Sequence, residues 1–299
     1  MEQNSNKTEY RSGVIAILFC EVTWGFLPIY WNLLDPLPSS IIILYRIFLV
    51  FLTALLLCAA FYRMKPKDTL RPLTEKKTRL RYFIAGLIIT VNWSLYIYAI
   101  TSGQIVQSSI GYYIQPIMVA MAGVLLYKEP LTRYKFAALI LACVSLLIII
   151  WHFKELPGLA LAIAGTFAAY SVLKKGVKEP PMQSLACETV FLAPFSLLAT
   201  IAVEAMGKGA CGVIAPWQYA LLALCGLMTI IPLALFNKAA TRVPLVLLGL
   251  AGYISPSISL LLGIFVYREP FDAVQFGSFA IIWAGLAYYS YGEFRQHKG

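Results

Sequence analysis

The sequence predicts an all-α integral membrane protein in which ten transmembrane helices form two inverted five-helix repeats. Three observations predict it: an excess of apolar residues, ten apolar runs of spanning length, and an internal match in which position i resembles position i+140. Of 299 residues, 60% are hydrophobic and only 13% charged, with a mean hydropathy of +0.76. A soluble domain is about half apolar and roughly a quarter charged. The surface of this chain must therefore face lipid, which excludes soluble enzymes and intrinsic disorder.

About 20 apolar residues cross a hydrocarbon core of roughly 30 Å. Such runs fall at 13–33, 39–62, 82–101, 107–127, 131–151, 156–173, 186–206, 217–236, 243–267 and 271–291. With the N-terminus inside, 20 of the 24 basic residues lie in cytoplasmic segments, and only Arg46, Lys154, Lys208 and Arg268 do not. Lys and Arg in short loops resist translocation, so both termini are expected in the cytoplasm, with the chain in a bacterial inner membrane. The net charge of +10 is then topogenic, and no nucleic-acid partner is expected. The longest loop, 63–81, holds eight basic residues with Pro66 and Pro72 and is expected to rest on anionic lipid. The first run is long enough to span, so no cleavable signal is expected.

Six scattered cysteines have no CxxC spacing, and the two histidines, His152 and His297, lie near or beyond run ends. No HExxH, GxSxG or GxxxxGK[ST] motif occurs, so neither a metal site, a cofactor, an intramembrane enzyme nor an ATP-driven pump is expected.

In the repeat register, Tyr113, Ile114, Pro116, Gly123, Tyr127, Glu129, Pro130 and Phe136 fall on Tyr253, Ile254, Pro256, Gly263, Tyr267, Glu269, Pro270 and Phe276. Gly25 falls on Gly165, Gly86 on Gly226 and Thr101 on Thr241. The chain divides into repeats at 1–152 and 153–299. Five runs is an odd number, so a half that begins inside is followed by one that begins outside. Inverted repeats of this kind characterise secondary transporters, since exchanging the two halves' conformations moves the opening of a cavity from one side to the other. A channel is the alternative that the symmetry leaves open.

Trp24-Gly25-Phe26-Leu27-Pro28-Ile29-Tyr30, Tyr45-Arg46, Asn92-Trp93, Ser109-Ile110-Gly111-Tyr112-Tyr113-Ile114-Gln115-Pro116, Glu188-Thr189, Ala239-Ala240-Thr241-Arg242 and Tyr253-Ile254-Ser255-Pro256 together resemble the RarD branch of the EamA-type drug/metabolite transporters, over nearly the whole chain. The resemblance implies ten helices around a central cavity, with the fifth and tenth peripheral. It implies a cargo among amino acids, metabolites or drugs; the branch is often labelled for chloramphenicol sensitivity. Gln115 stands where the branch usually has Asn, and Glu21 where no acid is expected.

Charges deep in a span usually face a protein interior or a water-filled pathway. Glu21 in the first run, Arg46 in the second and Glu188 in the seventh qualify. At about 1.5 Å per residue, Glu21 and Arg46 lie at similar depth, so an ion pair is the structural reading. The functional reading gives Arg46 the carboxylate of a cargo, because its planar fork matches that group. Glu188 then carries a coupling proton and Glu21 sets selectivity.

Ser108, Tyr112 and Gln115 share one helical face, as do Asn92 and Tyr96, and Trp24, Pro28 and Trp31. Cavity lining and interhelical hydrogen bonding are the two readings for these amides and phenols, with Tyr253 beside them; Trp31 reads first as an interface anchor. Pro116 and Pro256 are expected at mid-span as hinges or static kinks. The glycine and alanine stripes at 249–263 and 158–169 imply close helix packing, and Glu129-Pro130 reads as helix capping. Partners are then a small-molecule substrate, a proton and the lipid bilayer. A multidrug-type exporter of apolar compounds is the other transporter reading, and the oligomeric state, a homodimer included, is left open.

Overall fold

A computed structural model describes residues 2–102, 105–154, 158–268 and 273–296, and no strand occurs among them. The helices are α1 (Glu2–Asn32), α2 (Ser39–Tyr62), α3 (Pro66–Thr69), α4 (Lys76–Thr101), α5 (Ile105–Tyr127), α6 (Arg133–Phe153), α7 (Gly158–Lys174), α8 (Pro181–Thr189), α9 (Ala193–Ala205), α10 (Pro216–Ala240), α11 (Leu245–Ala251), α12 (Ile254–Phe265) and α13 (Ala273–Gln296). Six stretches are long and apolar enough to cross a membrane, and a seventh is the bent pair α8–α9. The protein is an all-α, multi-pass integral membrane protein. Glu269, Pro270 and His297 lie outside the described residues, as does the side chain of Ser108.

Two runs that hydropathy reads as single helices are broken. The seventh bends by 60° between α8 and α9. Pro194 sits in the first turn of α9, where its missing N–H cannot donate to the Val190 carbonyl one turn earlier, so the helix restarts instead of continuing. The ninth run breaks at Gly252–Tyr253, which places Pro256 in the first turn of α12, where proline costs no hydrogen bond. Pro116, its equivalent, lies inside α5, which runs on unbroken. The two prolines are therefore not alike: one opens a helix and the other interrupts the hydrogen-bond ladder of an intact one.

Helix pairings come in reciprocal sets. α5 packs on α7 and α1 on α12; α1 packs on α10 and α4 on α7; α2 packs on α10 and α4 on α8. A shift of 140 residues converts each pairing into its mate. The glycines follow the same rule: a Cβ on Gly86 would collide with the Glu188 carbonyl, and one on Gly226 with the Leu49 carbonyl. Gly25 likewise faces Ile258, and Gly165 faces Met118, 140 residues earlier. Small residues let these backbones approach where lipid supplies no hydrophobic drive between helices.

α6 and α13 pack on each other at the periphery, joined by the Ser145 hydroxyl donating to the Ser278 carbonyl at 2.9 Å. The remaining helices enclose an aromatic core. Trp24 lies 5.8 Å from Phe167 and 5.7 Å from Phe236, and Tyr170 stacks on Phe236 at 6.0 Å between ring centroids.

Candidate functional site

Three helices bring aromatic side chains to Arg46 of α2. Its guanidinium carbon lies 4.1 Å from the centroid of Trp93 on α4 and 5.4 Å from that of Trp31 on α1. Tyr96 and Tyr112, on α4 and α5, meet edge-on at 5.9 Å and lie within electrostatic reach of the cation. Tyr112 keeps 38% of its surface accessible. Trp31 thus faces the arginine.

No carboxylate pairs with Arg46 among the described residues, and its Nε is buried without a hydrogen-bond partner. The expected ion pair with Glu21 or Glu188 does not form. Cation–π contacts contribute about 2 kcal/mol each when desolvated, while removing a charge from water costs several kcal/mol. Two aromatic faces offset part of that cost but accept none of the guanidinium's five N–H donors. Among the described residues the buried Nε has no acceptor, and a carboxylate is the group whose two oxygens match the fork.

On the other side of the aromatic core, Glu188 is buried with partners for both of its oxygens. It accepts from Lys174 Nζ at 2.8 Å and from the Tyr170 hydroxyl at 3.0 Å. Lys174 also donates to Ser184, and the Tyr170 hydroxyl lies 3.4 Å from the Asn237 amide. Lys174 reads from sequence as a loop charge at the end of an apolar run, yet it is 1% exposed. The last turn of α7 turns it inward, toward the acid of α8.

The other expected site residues divide. Glu21 is 4% exposed and makes no hydrogen bond or ion pair among the described residues. Its neighbour Cys20 donates to the Pro232 carbonyl of α10 at 3.2 Å. Asn92 is taken up in packing, donating to the Ile163 carbonyl at 2.7 Å and to Thr166 Oγ1 at 2.9 Å on α7. Tyr253 is 1% exposed and donates to the Tyr113 carbonyl at 2.9 Å, so it too bonds between helices. Gln115 is half-buried on α5, three residues beyond Tyr112.

Glu129 caps a helix, though not the one that follows it. Its two oxygens accept the backbone N–H groups of Leu245 (2.7 Å) and Val246 (2.9 Å) at the start of α11. Lys175 Nζ lies 3.5 Å from the same carboxylate and donates to the Val243 carbonyl. Burial pushes the Lys175 ammonium below the usual lysine range, and Glu129 opposes that shift. Arg81, in the second turn of α4, donates to the carbonyls of Leu173 (2.8 Å from Nε) and Lys175 (2.6 Å) and so satisfies the C-terminus of α7. These bonds clasp the ends of α4, α5, α7 and α11 together.

Trp31 and Lys174 are site residues that sequence reasoning assigns elsewhere, and Trp93 is one to which it gives no role beyond the family resemblance. A tryptophan one or two turns from a deep arginine on neighbouring helices was the available signal for the two tryptophans.

The chain matches the model of the EamA-like transporter family over residues 11–151. It is 33% identical to a Bacillus subtilis protein named uncharacterized transporter YojE, over 97% of each chain. It is 30% identical to a protein named RarD from Escherichia coli, over 93% of each, and 30% identical to a RarD of Streptomyces exfoliatus, over 98% of this chain and 92% of that one. A crystal structure that is 17% identical superposes with a TM-score of 0.71 over 93% of this chain and 97% of the other, so the fold is shared.

Proposed function

Since the chain belongs to the EamA-like transporter family, we propose that it is a secondary active transporter that moves a small organic solute bearing a carboxylate across the bacterial inner membrane. The observation that carries this reading is the Arg46 guanidinium, held between Trp31 and Trp93 with no acid of its own. A cargo carboxylate supplies the missing acceptors, and Tyr96 and Tyr112 border it.

Movement is by alternating access. The chain folds as two inverted five-helix repeats, 1–152 and 153–299, making ten spans with both termini cytoplasmic. The reciprocal helix pairings and the paired glycine crossings support that reading, since two halves of one architecture can exchange conformations. Glu188 carries the coupling proton: proton uptake there turns the neutral Lys174–Glu188 pair into a lone ammonium held by Ser184, and the cost of burying that ion ties protonation to a conformation that opens the network to water. Glu21 contributes to selectivity as the other buried acid near the aromatic core.

The test is thermal stabilisation of the detergent-purified protein by a panel of amino acids, organic acids and apolar drugs, because a ligand of the folded state raises stability by mass action. Carboxylates are expected to stabilise the wild type and to lose that effect in Arg46→Ala. Stabilisation by apolar drugs alone, indifferent to Arg46, would reject the carboxylate and favour a multidrug exporter.

A further inference from the structure

Where α2, α8 and α10 meet, at the end of the molecule that carries the basic 63–81 segment, lies an open cleft of about 830 Å³. Its walls are the kind that face lipid tails: Leu57 and Phe61 from α2 and Leu227 and Ile231 from α10, of which Phe61 is 69% and Ile231 40% exposed. Its rim is basic. Lys178 follows α7, Lys238 lies in the last turn of α10, and Arg242 comes just after it.

The rim's cations are free to bind. Lys178 and Lys238 make no ion pair or side-chain hydrogen bond among the described residues, and Arg242 spends one donor on the Ser12 hydroxyl at 2.9 Å. The single carboxylate there, Glu179, already accepts from the Tyr82 hydroxyl at 2.7 Å. At the floor lies Asn237, 4% exposed; one end of its amide reaches Tyr170 at 3.4 Å and the other has no partner among the described residues. Positions 140 residues before the three cations are Pro38, Tyr98 and Ser102, so the charge belongs to this corner and not to its counterpart in the other half.

We infer that this cleft is a binding site for an anionic glycerophospholipid, whose phosphate sits on Lys178, Lys238 and Arg242 and whose acyl chain runs along Leu57, Phe61, Leu227 and Ile231. An apolar wall opening to the membrane, crowned by three cations against one occupied acid, is complementary to a lipid that carries one negative charge at the head of a hydrocarbon chain. The seat adjoins the Glu188 network through Ser184 and Asn237, both of which line the cleft, so an occupied cleft braces the start of α8 and the end of α10. The inference stands on the cleft and its rim and does not depend on the cargo assigned above.

The experiment is native mass spectrometry of the full-length, delipidated protein titrated with dioleoyl phosphatidylglycerol or dioleoyl phosphatidylcholine. Wild type should retain the glycerol lipid in preference to the choline lipid. Lys178→Ser/Lys238→Ser should bind it about thirtyfold more weakly, the loss expected for two cations near an anionic headgroup. Lys76→Ser/Lys77→Ser, two exposed charges in the first turn of α4 that do not line the cleft, should bind it as wild type does. Unchanged melting of both variants without lipid establishes that they fold. Equal retention of the two lipids, an unaffected cleft variant, or an equal loss in the α4 variant would overturn the site. Displacement of the lipid by free glycerol 3-phosphate would also overturn it, since the ligand would then be a soluble anion.

Discussion

The Tyr253 hydroxyl donates to the main-chain carbonyl of Tyr113, 2.9 Å away and 140 positions earlier. The two residues are mates in the register that relates the halves of the sequence, so each half supplies the same residue type to one contact. They sit in a core with Phe279, whose ring centroid is 4.8 Å from that of Tyr113. This bond joins the α11–α12 break to α5, and Tyr253→Phe should lower stability by about 1 kcal/mol while leaving ligand affinity unchanged. Equilibrium unfolding in mixed micelles, read beside ligand binding, checks both parts.

The paired glycines give a ranked series. Alanine at Gly86 or Gly226 meets a backbone carbonyl, which cannot step aside, and each should cost about 1–3 kcal/mol. Alanine at Gly25 meets the branched Cβ of Ile258 at 2.6 Å and should cost less, and Gly165→Ala, with Met118 at 3.5 Å, should be tolerated. Melting temperatures of the four variants test the order. Similar costs at Gly86 and Gly226 are what equivalent crossings require.

Lys174 and Glu188 should behave as a buried pair. Lys174→Met strands a carboxylate at 1% exposure, a loss of about 3–5 kcal/mol. The double variant Lys174→Met/Glu188→Leu should recover much of that loss, since no charge is then left alone. Glu188→Gln should keep ligand binding and lose the dependence of flux on the pH gradient. A Glu188→Gln protein that still accumulates cargo against a gradient removes the coupling role and leaves the pair structural.

Much of this organisation is legible in the sequence because lipid imposes simple rules. Apolar length locates helices: six of the ten runs coincide with stretches long and apolar enough to cross a membrane, and a seventh with the bent pair, among the described residues. Hydropathy is silent on breaks, so the restart at Pro194 and the interruption at Gly252–Tyr253 are absent from the sequence reading. Deep charge marks Arg46 and Glu188 as unusual, but a partner chosen by depth alone is wrong when helix rotation decides. Arg46 turns to Trp31 and Trp93, and Glu188 turns to a lysine that hydropathy leaves in a loop. Asn92 and Tyr253 illustrate the same limit: a polar residue on a helical face can meet a cavity or a neighbouring helix, and only packing distinguishes the two.

The clasp at Glu129 makes a prediction in pH. Lys175 titrates below its ordinary 10.5 in the folded protein, so between that lowered value and 10.5 the unfolded chain binds more protons. Stability therefore gains a contribution that grows as pH rises through this alkaline window. The difference in unfolding free energy between wild type and Lys175→Met should grow with pH across the same window, in favour of wild type. Glu129→Gln weakens the hold on the Leu245 and Val246 N–H groups and should cost about 1 kcal/mol.

The central claim is that Arg46 receives the carboxylate of a cargo that is carried and not merely admitted. Counterflow in proteoliposomes tests it most directly: vesicles are loaded with an unlabelled carboxylate that stabilises the purified protein, and entry of the labelled compound is followed. The account predicts transient accumulation of label that saturates with concentration and falls at least a hundredfold in Arg46→Ala, as expected when a buried, bidentate charge contact worth about 3 kcal/mol is lost. Entry that rises linearly with concentration, without accumulation, or that survives Arg46→Ala unchanged, would contradict it.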